Sequence, residues 1–98
     1  MIDGTYLVEV DTPLGRKSGM LVMSTKGNKL EAQVDAPIIG KQQAFGKVDG
    51  QNFSVSGAVK VLLKGEITYS VEGTVSDGLL IATLKSSKGD LQMVGARL

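Results

Sequence analysis

Val10-Asp11-Thr12-Pro13-Leu14-Gly15 returns further along the chain as Val34-Asp35-Ala36-Pro37-Ile38-Ile39-Gly40. A weaker echo runs Val59-Lys60-Val61-Leu62-Leu63-Lys64-Gly65, and a shortened one runs Leu84-Lys85-Ser86-Ser87-Lys88-Gly89. Pro13 lacks the N–H that a strand ladder needs, so the first of these stretches ends a strand and turns the chain. Turn signals at near-equal intervals across 98 residues divide the chain into four units of one pattern, the signature of an all-β barrel or sandwich.

Between the corners, apolar and polar residues alternate with period two, which predicts eight strands and no helix. In the first strand, about Asp3 to Asp11, Tyr6, Val8 and Val10 share one face and Thr5, Leu7 and Glu9 the other. The second strand, about Arg16 to Thr25, is ambiguous by itself because Met20, Leu21, Val22 and Met23 are all apolar. The turn Lys26-Gly27-Asn28-Lys29 resolves it. A two-residue hairpin there sets Thr25 opposite Leu30, Met23 opposite Ala32 and Leu21 opposite Val34. Leu30, Ala32 and Val34 alternate with Lys29, Glu31, Gln33 and Asp35, so their face is the core and Leu21 and Met23 join it.

The same count about Asp49-Gly50 sets Gly46 against Phe53 and Ala44 against Val55. About Asp77-Gly78 it sets Val75 against Leu80, Gly73 against Ala82 and Val71 against Leu84, with Ile67 and Tyr69 continuing the inward row. About Lys88-Gly89 it sets Leu84 against Met93, Ala82 against Gly95 and Leu80 against Arg97. The predicted architecture is therefore an eight-stranded antiparallel up-and-down meander, one domain over residues 1–98, closed by pairing the last strand with the first so that no edge is exposed. Gly19, Gly46, Gly73 and Gly95 fall on the inner face; they serve either as kinks that let short strands curl or as missing side chains that leave room for a guest.

Composition narrows the chemistry. Eleven Lys plus Arg against ten Asp plus Glu leave +1, with the signs interspersed, so no basic stripe awaits a nucleic acid. No apolar run reaches the ~20 residues of a helical span, and Met1-Ile2-Asp3-Gly4 does not open a signal peptide. The expected location is cytoplasmic, without membrane association. With no His and no Cys, a Ser-His-Asp triad is impossible and a zinc site is not expected. Glu9 and Asp11 point outward, where nothing raises a carboxylate's pKa, and no cofactor motif is present. The expectation is a non-enzymatic protein without cofactor or metal.

The two outer walls differ. The outward residues of strands three to six, including Lys29, Glu31, Gln33, Gln43, Lys47, Asn52, Glu66 and Glu72, are made for water, with Phe45 the main exception. Strands seven, eight, one and two turn out Leu79, Ile81, Val94, Leu98, Leu7, Met20 and Val22, together with Ala96. Closure makes these strands neighbours, and a contiguous apolar patch of that kind predicts a partner surface, most simply in a symmetric homodimer.

An eight-stranded meander barrel with Thr12-Pro13-Leu14-Gly15 corners resembles the calycin superfamily of lipocalins and streptavidin-like barrels, and small bacterial lipocalin-like domains within it. Gly4-Thr5-Tyr6 stands where lipocalins carry Gly-x-Trp, and Arg97 stands where they carry a late Arg; the absence of Trp argues against a biotin site. The resemblance implies a small hydrophobic ligand inside the barrel. By register its walls would be Tyr6, Val8, Leu21, Met23, Phe53, Tyr69, Met93 and Arg97. The phenols of Tyr6 and Tyr69 either orient a guest or reach the barrel mouth, and Arg97 either pairs with Asp3 across the strands or receives an anion. The alternative function is a barrel filled by its own side chains that acts through the apolar wall.

Overall fold

The fold comes from a computed structural model that describes residues 2–36, 40–61, 65–87 and 89–98, with only the backbone of residues 59 and 61. The corner residues Pro37, Ile38, Ile39, Leu62, Leu63, Lys64 and Lys88 lie outside the described residues. Eight strands follow one another: β1 (Gly4–Thr12), β2 (Gly15–Lys26), β3 (Lys29–Ala36), β4 (Gly40–Asp49), β5 (Asn52–Val61), β6 (Gly65–Ser76), β7 (Leu79–Ser86) and β8 (Gly89–Arg97). Each pairs antiparallel with the next, and β8 returns to β1, so the sheet is a closed up-and-down barrel. No helix of the described residues is long and apolar enough to cross a membrane.

The hairpins Lys26–Lys29 and Ser76–Leu79 have the register expected from their turns. The second is a two-residue turn with positive φ at both Asp77 (53°) and Gly78 (76°), the form Asp-Gly favours. Two other registers differ from the sequence reading. At the β4–β5 turn Asp49 pairs with Asn52, so Gly46 faces Val55 and Val48 faces Phe53. The central pair is Gly50-Gln51, with Gly50 at φ 61° in the first position, the alternative turn form that needs only one left-handed residue. At the last turn Ser86 pairs with Gly89, which sets Leu84 opposite Leu91, Ala82 opposite Met93 and Leu80 opposite Gly95. Both slips are of two residues. Because side chains alternate with period two, every inward residue stays inward.

Antiparallel alternation puts the four repeated corners, Thr12–Gly15, Ala36–Gly40, Val61–Gly65 and Ser86–Gly89, at one end of the barrel, hereafter the corner end. The other three turns and both termini lie at the opposite end. At the first corner the Thr12 hydroxyl accepts a hydrogen bond from Leu14 N at 3.2 Å and donates to the Gly15 carbonyl, closing the turn that Pro13 starts.

Inward glycines mark where backbones approach. A Cβ on Gly46 would collide with the Ser54 carbonyl, and one on Gly73 with the Ile81 carbonyl. At Gly95 it would stand 2.7 Å from Val8 Cγ1 and 2.9 Å from the Leu7 carbonyl oxygen. At these three positions the glycine is structural, allowing narrow closure. Gly46→Val is expected to lower stability by about 1–3 kcal/mol or more through forced overpacking. The outward Gln43→Ala is expected to change it by less than about 0.5 kcal/mol. Urea denaturation of the two variants measures the difference.

Candidate functional site

The terminal end of the barrel is sealed by backbone and side chains together. The turns stitch to the strands beyond them: Val48 N donates to the Asn28 carbonyl at 2.9 Å, Val75 N to Gln51 at 2.9 Å and Arg97 N to Gly78 at 2.8 Å, while Leu98 N bonds Thr5 at 2.8 Å. Ile2 folds back into the opening and is buried with Tyr6, Met23, Leu30 and Leu80. Tyr6, 0% exposed, donates its hydroxyl proton to the Ile2 carbonyl at 2.8 Å and accepts from Arg97 Nη2 at 2.7 Å. A buried phenol with both a donor and an acceptor partner is a plug satisfied by its own chain.

The Asp3–Arg97 pairing anticipated from the sequence gives way to other partners. β1 and β8 align Tyr6 with Arg97, which carries Asp3 past the end of β8. The Asp3 carboxylate instead accepts from Thr25 N at 3.0 Å and from the Thr25 hydroxyl. Those two bonds, the hydroxyl's first, hold its pKa below the ordinary aspartate value. A depressed carboxyl contributes stability above its unfolded pKa of about 4 and loses it as pH falls through the folded value.

The corner half of the interior is not filled by the described side chains. It holds a cavity of about 250 Å³ whose floor is Val8 and Val71 and whose sides include Val34, Ile67, Leu84 and Met93. Small residues near the corners, Gly19 and Ala36, leave the space unfilled. Tyr69 faces it from β6. Its ring covers the cross-strand partner Gly57, where a Cβ would lie 2.8 Å from the phenol oxygen. That hydroxyl is buried and has no hydrogen-bond partner among the described residues. Burial pushes the Tyr69 pKa above that of an ordinary tyrosine, because the phenolate would be poorly solvated there.

Of the residues expected to wall a ligand, the structure puts Val8, Tyr69 and Met93 on the cavity. Tyr6, Leu21, Met23 and Phe53 belong to the buried core, and Arg97 is engaged with the Tyr6 hydroxyl at the sealed end. Sequence reasoning did not name Val34, Ile67, Leu84 or Lys17 as walls. They were recoverable: all lie on the inward register within a few residues of a repeated corner. Lys17, opposite Val10, lies at the cavity rim with its side chain exposed.

On the outside, Arg16 bridges Glu9 at 3.0 Å and Asp11 at 2.9 Å, and the bond to Asp11, followed by that to Glu9, raises the pKa of the guanidinium. Among the described residues no group of three potential ligating side chains could hold a metal ion. Across the apolar wall, the pairing aligns Met20, Leu7, Ala96 and Leu79 in one row through β2, β1, β8 and β7. Ile81 and Val94 pair in the adjacent row, and Val22 flanks Leu7 through Thr5. Ile81 is 61% exposed, Leu79 59% and Leu98 74%, with Leu7, Val22 and Val94 also exposed and Met20 half-buried.

No protein-family model matches the chain, and a search of curated proteins finds no relative.

The buried phenol is open to direct measurement. In an alkaline absorbance titration Tyr69 is expected to ionise above pH 10, and Tyr69→Phe removes that step. A raised folded pKa means that ionising the phenol costs stability: the fold is unaffected by this group's ionisation below pH 10 and is weakened as pH rises from there through the folded value. At pH 7 the same variant is expected to stabilise the free protein by about 1 kcal/mol, since it deletes a buried hydroxyl without a partner.

Proposed function

We propose that the chain is a non-enzymatic binding protein that holds a small apolar molecule in the corner half of its barrel, as a lipocalin-like domain would. The observation that carries this reading is the cavity of about 250 Å³, walled by apolar side chains and containing the unpartnered Tyr69 hydroxyl. A protein that only needed a stable barrel would fill that space, because interiors pack densely and each void costs stability. A polar group left unsatisfied inside an apolar cavity supplies a single orienting hydrogen bond to an occupant.

An apolar cavity of about 150 Å³ accepts benzene. The volume here, about 250 Å³, therefore suits a body of about ten non-hydrogen atoms. At about 0.8 kcal/mol per buried methylene its transfer supplies roughly 8 kcal/mol, against association costs of at least about 4 kcal/mol. The affinity that remains is modest, in the range suited to carriage and release rather than permanent retention. Native mass spectrometry of protein purified from its own host is expected to show the mass of the chain plus a small apolar molecule. Ala36→Phe, which fills the corner end, is expected to remove that adduct and keep the fold. An unliganded wild-type mass together with failure to bind any apolar probe would overturn the reading.

A second reading is favoured by the unbroken row Met20, Leu7, Ala96 and Leu79 with its neighbours Ile81, Val94, Val22 and Leu98. These side chains form a surface for a second copy of the chain, packed wall to wall about a two-fold axis. Sedimentation at tens of micromolar is expected to give twice the chain mass, and Ile81→Glu with Val94→Lys to give the monomer. A monomeric wild-type chain at that concentration excludes the dimer.

A further inference from the structure

The strands keep their carboxylates on the outer face. No carboxylate of the described strand residues occupies an inward register: Glu9 pairs with Val94, Glu31 with Phe45 and Glu72 with Thr83, all on the outer surface. Among the described residues two cations do face inward. Arg97 is at the sealed end, on the Tyr6 hydroxyl. Lys17 is at the other end, aligned with the inward Val10 and lining the cavity rim, while its side chain remains exposed. The acids on the adjacent strand, Glu9 and Asp11, are held by Arg16 on the outer wall. A lysine whose stem lies along an apolar wall and whose ammonium stays in water forms a charged rim on an uncharged well.

We infer that the occupant of the cavity is an amphipathic monoanion, a medium-length apolar body ending in a carboxylate, with its charged end held at the mouth by Lys17. This rests on the reading of the interior as a binding site and gives it a substrate class. Below the rim the walls formed by the described inward side chains are apolar apart from the hydroxyls of Tyr69 and Ser86, so a formal charge inside would go without a counter-charge. The charge must therefore remain at the rim, where, among the described residues, Lys17 and no inward acid meet it. A neutral molecule gains nothing from Lys17, and a cationic one is repelled by it.

The test uses three probes with one chain length, decanoate, decan-1-ol and decylammonium, titrated by calorimetry into the full chain at pH 7.5 and low salt. Decanoate is expected to bind about five-fold more tightly than decylammonium, a preference that narrows as salt screens the rim. Lys17→Glu is expected to reverse the order of the two ions and to leave decan-1-ol unchanged. The Lys17 side chain is exposed, so the variant is expected to fold. Equal affinity for all three probes, unaltered by Lys17→Glu, would overturn the headgroup assignment and leave the interior site standing. Binding of none of them would overturn the assignment and the reading beneath it together.

Discussion

Pairing of β1 with β8 is the contact on which the rest of the molecule depends. A meander of eight strands has two free edges, and each would present unpaired amides to any neighbouring chain. Here the first and last strands align from Tyr6 opposite Arg97 to Val10 opposite Met93, and the sheet has no edge left. The approach is close because Gly95 has no side chain where Val8 Cγ1 would meet one. Closure then determines everything that follows: it creates an interior, and it makes neighbours of the four strands whose outward residues are apolar.

The interior so formed is divided by its own chemistry. At the terminal end the chain turns back on itself, and Ile2 supplies both an apolar plug and the carbonyl that satisfies Tyr6. Arg97 completes that phenol from the opposite strand. Large side chains, Met23, Phe53 and Leu80, fill the space between. Toward the corners Gly19 and Ala36 leave space between the larger walls, and a well remains with a phenol over Gly57. The two tyrosines thus stand in opposite conditions: one has its hydrogen bonds within the chain, and the other keeps its capacity unused.

The exterior is divided as well. One wall carries the polar residues of β3 to β6 and the other a row of apolar side chains across β2, β1, β8 and β7. Leu7 and Val94 are not core residues displaced by a register error, since their strand neighbours Tyr6, Val8 and Met93 face the interior. An outward apolar row beside a correctly filled inward row is a property of the surface, and it can be occupied independently of the interior.

The sequence by itself determined which side chains face inward. Strand pleating has period two, and each turn residue fixes phase, so even the misplaced registers at Asp49–Asn52 and Ser86–Gly89 moved by two and kept every face. It also determined the strand number, the closure and the apolar wall, because these follow from alternation and from the avoidance of open edges. Which half of the interior stays open was decided only by the tertiary structure. Register places Tyr6 and Tyr69 on one list of inward phenols, and nothing along either strand tells them apart. The distinction arises where Ile2 folds under the barrel and Arg97 comes across from β8, while the Tyr69 hydroxyl lies over Gly57 with no hydrogen-bond partner among the described residues. Those are contacts between segments remote in the chain, and packing in three dimensions, rather than periodicity, sets them.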